Sequence, residues 1–260
     1  MKAKKNTAGK VYDTDFLYKI SESLSYRLFG PLFAKLPFSH IQITVANFFT
    51  SGLASVYFFT LGTHWGYLLG IFLCFTYSIL DWMDGFVAKS RGIQSALGGW
   101  LDPALDYVWQ HLLVAGLVLG VYQSKDQNYP WLVIGMASLV SLVVANYIGD
   151  IFRDKFDFKF RSSLADFRDE ITTNKKIGWV DLLGLEILAP TNFISIFLFT
   201  IRYQLILGAL LNRMDIVMLI ILGTQMIRSV VLFYTYALYL DHREGASARV
   251  IVRALERRKV

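Results

Sequence analysis

The sequence predicts an all-α integral membrane domain of six transmembrane helices, preceded by an N-terminal amphipathic interfacial helix, and three observations carry that expectation. Apolar runs lie near residues 41–61, 65–80, 101–121, 130–148, 191–210 and 214–240, each close to the roughly 20 residues that a helix needs to cross hydrocarbon. Lys and Arg concentrate in alternate connections, with seven before residue 41, two in 81–100, seven in 149–190 and six after 240, against Lys125 and Arg213 in the intervening turns. A chain of 260 residues that is 55% hydrophobic, with mean hydropathy +0.44, is too apolar for a soluble domain and too short for several membrane domains. The charge asymmetry places both termini on the cytoplasmic side of a multi-pass protein.

Residues 1–40 are expected to form a cytoplasmic segment, 41–240 the membrane domain and 241–260 a basic cytoplasmic tail. The first 40 residues are charged and lack an uninterrupted apolar core, so no cleavable signal peptide is expected. Between Asp15 and Lys35, Phe16, Ile20, Leu24 and Leu28 recur every four residues among Lys19, Glu22, Ser23 and Arg27, the pattern of a helix lying in the membrane interface. Pro31 and Pro37 set a bend before the first span. The second apolar run is short, and residues 81–88 complete it by drawing Asp81 and Asp84 slightly into the membrane along a polar cavity. The 149–190 segment reads as a cytoplasmic loop with an interfacial helix, and Ala189-Pro190-Thr191-Asn192 marks the start of the fifth span. Val250, Ile251 and Leu255 lie among arginines in the tail, which is expected on the membrane surface too.

The net charge of +6 points to anionic lipid headgroups rather than nucleic acid, because the basic residues gather at span ends instead of interleaving with aromatics on a soluble face. Cys74 is the single cysteine and sits in an apolar run, which leaves no disulfide and no thiol metal site within one chain. His40, His64, His111 and His242 have no metal-ligand spacing and read as interfacial or packed.

Four carboxylates stand at the cytoplasmic mouths of the second and third spans, where charge is expensive. On a helix Asp81, Asp84, Gly85 and Ala88 follow i, i+3, i+4, i+7, while Gly98, Asp102 and Asp106 follow i, i+4, i+8. Two acidic faces can then converge. At about 5 Å separation and an effective dielectric of about 20, each ionised pair repels by roughly 3 kcal/mol, so the four must be protonated, splayed into water or bridged by cations. Divalent metal is the reading that uses all four. The alternative for any one is a solvated carboxylate at a helix end, and Asp102 before Pro103 also fits an N-cap with proline at the first helical position. Gly85, Ala88 and Gly98 offer a low surface that a helix or a nucleotide can approach closely, with ordinary helix packing as the alternative.

The run Asp81-x2-Asp84-Gly85-x2-Ala88-Lys89-x8-Gly98-x3-Asp102-x3-Asp106 resembles the signature of the CDP-alcohol phosphotransferase family, D-x2-D-G-x2-A-R-x8-G-x3-D-x3-D, with no gap. Lys89 departs from it by keeping the charge of the family's arginine and losing its planar fork, and Arg91, two residues on, is out of register with that position. The resemblance implies a membrane transferase that moves a phosphate-linked group from a CDP-activated donor to an alcohol and releases CMP, in phospholipid biosynthesis. It implies two Mg2+ or Mn2+ ions held by Asp81, Asp84 and Asp102, a general base at Asp106 with a shared ligand role, and a cytidine nucleotide beside Asp81, Asp84, Gly85, Ala88, Lys89 and Gly98. Oxygen ligands suit such hard cations better than zinc. The donor it implies is CDP-diacylglycerol with a small alcohol acceptor; CDP-choline or CDP-ethanolamine with diacylglycerol as acceptor is the alternative within the family. A homodimer is implied as well.

Arg228 lies deep in the sixth span, where an unpaired cation costs about 2.5 to 3.5 kcal/mol, so it is expected to face either a phosphate of the acceptor or an internal partner. Arg202, read as closer to the external end of the fifth span, is expected to snorkel. Asn146, Arg153, Lys175 and Lys176 border the cytoplasmic entrance, as headgroup contacts or as a solvated charged loop. A cation channel or transporter would instead spread its acids along the bilayer depth, whereas these four gather on one side; an inactive scaffold would not need all four.

Overall fold

The computed structural model describes residues 16–93, 95–156 and 200–240, and every regular element among them is helical. Helix α1 (Phe16–Ser23) continues through a π-helical stretch, Leu24–Phe29, into α2 (Gly30–Phe33). Helix α3 (His40–Asn47), a second π stretch (Phe48–Gly52) and α4 (Leu53–Thr60) together make the first span. Then follow α5 (His64–Arg91), α6 (Ala96–Ser124), α7 (Tyr129–Phe156), α8 (Ile201–Leu211) and α9 (Met214–Leu240).

Among the described residues, five stretches are long and apolar enough to cross a membrane: His40–Thr60, His64–Arg91, Ala96–Ser124, Tyr129–Ile148 and Met214–Val231. This is the architecture of an all-α, multi-pass integral membrane protein. The expected fifth span, 191–210, falls mostly outside the described residues, and its final part is the apolar helix α8. The second run is indeed completed by 81–88, since α5 continues unbroken to Arg91. Residues 149–156, expected in a loop, prolong α7 instead. The charged stretch 157–190 and the tail 241–260 lie outside the described residues.

Residues Phe16–Val140 and Ile201–Leu222 form one compact unit. Hydrocarbon offers helices no water to expel from between them, so close packing of small residues does much of the joining. Gly116 on α6 shows this directly: a Cβ there would stand 2.8 Å from the Val56 carbonyl of α4. Around that approach Phe59, Leu117 and Val121 have no exposed surface. Near the far end of the α5–α6 pair, Lys125 Nζ lies 2.9 Å from Asp215 Oδ2, and Arg213 Nε lies 3.1 Å from Asp215 Oδ1, fastening the turn after α6 to the start of α9.

The N-terminal helix docks by a different face from the apolar stripe that the sequence advertises. Phe16 and Leu28 are 65% and 62% exposed, whereas Ser21, Ser25 and Gly30 are buried. Ser25 Oγ donates to the Ile79 carbonyl at 2.6 Å, and Tyr26 packs on Trp82 and Phe86 with ring centroids 5.8 and 5.4 Å away. Small residues and Tyr26 therefore meet α5, Ile20 and Leu24 are half-buried, and Phe16 and Leu28 are left facing outward, as a helix on a membrane surface requires. Arg91 closes the arrangement, its guanidinium donating to the carbonyls of Ala34 at 2.9 Å, Phe38 at 2.6 Å and Leu36.

The described part of the second unit comprises residues 141–156 and 223–240. Within it Arg228 Nη1 lies 3.5 Å from Asn146 Oδ1, and Ser229 Oγ donates to the Gln225 carbonyl at 2.9 Å.

Candidate active site

The acidic residues meet across the four-residue turn that joins α5 to α6, two helices that both pack on α4 of the first span. Gly92 adopts φ +64°, a left-handed conformation open to glycine, and the Ile93 amide returns to the Ala88 carbonyl at 3.1 Å to close the helix end. Ser95 then starts α6 by accepting the Gly98 amide on Oγ at 3.0 Å. The N-cap is thus Ser95 rather than the alternative of Asp102, and Asp102 and Pro103 lie inside the helix. Proline has no N–H for the Gly99 carbonyl, so one backbone acceptor is released on the turn that carries Asp102.

Register about this turn fixes the depth of each carboxylate. Asp84 stands seven residues before Arg91 and Asp102 seven after Ser95, so both lie about 10 Å from the turn at 1.5 Å per residue. Asp81 and Asp106 lie about 15 Å from it by the same count. The outcome is a compact group in which Asp81, Asp84 and Asp102 each offer an oxygen within 4.8 Å of the others. Asp106 has a different partner, accepting the Tyr77 hydroxyl on Oδ1 at 2.9 Å.

Carboxylates this close repel by about 3 kcal/mol per ionised pair at an effective dielectric of about 20. The Asp102 Oδ1 atom is buried without a hydrogen-bond donor among the described residues. An orphaned carboxylate oxygen facing two further carboxylates fits a hard divalent cation.

The first span supplies the supporting layer, which sequence reasoning missed. Thr44 Oγ1 reaches both Asp84 Oδ2 and, at 3.0 Å, the His40 carbonyl, and its single proton is best placed on the carboxylate. Asn47 Nδ2 donates to the Tyr77 carbonyl at 3.0 Å. Tyr77 stacks on Trp109 with centroids 3.9 Å apart, and Trp109 Nε1 donates to Ser55 Oγ at 3.1 Å. A signal was present: Thr44 and Asn47 are polar, three residues apart in an apolar run, and Tyr77 lies one helical turn before Asp81.

The glycines differ from one another. A Cβ on Gly85 would meet nothing within 4 Å, whereas one on Gly98 would stand 2.5 Å from His40 Nε2. Gly85 is thus open, and Gly98 is a helix contact in which His40 also reaches Ser95 Oγ at 3.2 Å. Ala88 is buried and Lys89 is exposed on the last turn of α5. Arg91 is committed to the 33–38 turn and does not substitute for Lys89.

Arg202 is exposed on the first turn of α8, which packs on α5, with Arg213 and the Lys125–Asp215 pair beyond the opposite end of that helix. Arg228 lies in the other unit, beside Asn146.

A membrane-embedded helical hairpin with a carboxylate triad, a fourth aspartate one turn on and an open glycine beside them defines a class of site suited to divalent cations and phosphate esters. Residues 41–157, which contain all of these, match the family model for CDP-alcohol phosphatidyltransferase. Over 77 residues it is 29% identical to a CDP-diacylglycerol-glycerol-3-phosphate 3-phosphatidyltransferase of Blochmanniella floridana, a match covering 30% of this chain and 37% of the relative.

Proposed function

We propose that this protein is a metal-dependent transferase that moves the phosphatidyl group of CDP-diacylglycerol to a small alcohol and releases CMP. The observation that supports the reading is the gathering of the aspartates: Asp81, Asp84 and Asp102 each offer an oxygen within 4.8 Å of the others, and Asp106 accepts a hydrogen bond from Tyr77. Asp81, Asp84 and Asp102 would hold Mg2+ or Mn2+, which when bound neutralises the pyrophosphate charge and aligns the phosphorus. Asp106 accepts the proton of the attacking hydroxyl through the carboxylate oxygen that Tyr77 leaves free. The open surface at Gly85 admits the cytidine nucleotide, and exposed Lys89 supplies positive charge one turn further on. The positive-inside bias sets this end of the hairpin toward the cytoplasm, so the bilayer delivers the lipid donor and the cytoplasm the alcohol.

The test is CMP release by purified protein in lipid nanodiscs containing CDP-diacylglycerol. Glycerol 3-phosphate heads the acceptor panel because it appears in the name of the Blochmanniella floridana relative. A parallel arm offers CDP-choline with diacylglycerol. CMP release that needs an alcohol and stops with EDTA is expected; absence of release with every pair, or release indifferent to EDTA, overturns the reading.

A further inference from the structure

We propose that Tyr77 is the positioning residue for Asp106, and that a relay from the first span through the Tyr77–Trp109 stack sets the orientation of the carboxylate that takes the proton. The inference rests on the reading of Asp106 as the base. A carboxylate on a helix turns about two side-chain bonds, and productive proton transfer needs one oxygen aimed at the hydroxyl within about 2.6–3.2 Å. The Tyr77 hydroxyl donates to Oδ1 at 2.9 Å, which fixes that oxygen and leaves Oδ2 for the substrate.

The phenol is itself held on three sides. Its ring lies on Trp109 at 3.9 Å and 19° between planes, Trp109 Nε1 is anchored on Ser55 Oγ at 3.1 Å, and the Tyr77 backbone carbonyl accepts from Asn47 Nδ2 at 3.0 Å. Gly52 belongs to the same device, because a Cβ there would stand 3.1 Å from the Tyr77 ring. Tyr77 and Trp109 are 3% and 5% exposed, so water has little access to replace a lost hydroxyl.

Tyr77→Phe keeps the stacked ring and removes only the donor. We expect kcat to fall about 10- to 100-fold, the range for losing one hydrogen bond to a charged group, with donor KM and Mn2+ affinity by electron paramagnetic resonance within about twofold of wild type. Added to Asp106→Asn, the same change should cost nothing further. An unchanged kcat in Tyr77→Phe beside a dead Asp106→Asn overturns the positioning role and leaves the base reading standing. An active Asp106→Asn removes both, and a loss of Mn2+ affinity in Tyr77→Phe reassigns the phenol to the metal group. If Tyr77→Phe does not fold, Trp109→Leu takes away the supporting ring and leaves the hydroxyl; a fall in kcat of at least about threefold at constant Mn2+ affinity supports the relay, and an unchanged kcat overturns it.

Discussion

Replacing Thr44 with valine keeps the shape of the side chain and deletes the one side-chain hydroxyl that reaches Asp84. Both residues are buried, at 7% and 6% exposure, so no solvent steps into the gap. Asp84 would then face Asp81 and Asp102 with one oxygen unheld and its orientation unset. A hydrogen bond to a charged group contributes about 1.5–3 kcal/mol, and loss of such a support behind a metal ligand commonly lowers metal affinity by about 10- to 100-fold. Thr44→Val should therefore raise the Mn2+ dissociation constant, followed by electron paramagnetic resonance, and the half-saturating Mg2+ for CMP release by that factor. Saturating metal should recover most of kcat. Thr44→Ser restores the hydroxyl and should bind within about threefold of wild type. A folded Thr44→Val protein that binds Mn2+ as well as wild type would refute the argument, because it would show that Asp84 is oriented without Thr44 or is not a ligand.

Asp106→Asn should lower kcat by about 10^2- to 10^4-fold at unchanged Mn2+ affinity, whereas Asp81→Asn should weaken Mn2+ binding and be partly rescued by excess metal; identical metal titrations of the two variants would sink the division of roles. Arg91→Ala takes the donors from the Ala34, Leu36 and Phe38 carbonyls, and on the order of 2 kcal/mol lost there should lower the melting temperature by roughly 5 °C; an unchanged melting curve would mean that the 33–38 turn holds without it. Lys89→Arg should preserve or raise activity and Lys89→Ala should lower it, while indifference to both would place Lys89 outside the site. Arg228→Ala should raise the acceptor KM well above any change in the donor KM, and a stable variant with both unchanged would remove Arg228 from acceptor binding.

The spans were legible because hydrocarbon imposes one rule on every spanning helix, an apolar length of about 20 residues, and α5, α6 and α9 each carry that length plainly. Their ends were harder to place. Residues 81–91 and 149–156 are too polar to score as membrane, yet the helices run on through them, since backbone hydrogen bonding inside a helix does not depend on side-chain polarity. The N-terminal helix misled in another way. Its apolar stripe is conspicuous because it is large, but Ser21, Ser25 and Gly30 dock on α5, and small residues leave almost no periodic signal.

At the site, the same distinction separates what a motif reveals from what packing adds. The α5–α6 hairpin is local in sequence, and equal seven-residue offsets from its turn place Asp84 and Asp102 at one depth with Asp81 and Asp106 above them. That geometry follows from helical rise and spacing alone. What it leaves undetermined is how four similar carboxylates would take up the different roles proposed for them, because an i, i+4 row treats Asp102 and Asp106 alike. The first span distinguishes them from outside that pair of helices: Thr44 donates to Asp84, and Asn47 and Ser55 hold the Tyr77–Trp109 pair whose hydroxyl donates to Asp106. A hairpin with its four aspartates intact but stripped of Thr44, Asn47 and Ser55 should thus retain an acidic cluster and lose the distinction between ligand and base, which makes these three residues of the first span as much a part of the site as the motif is.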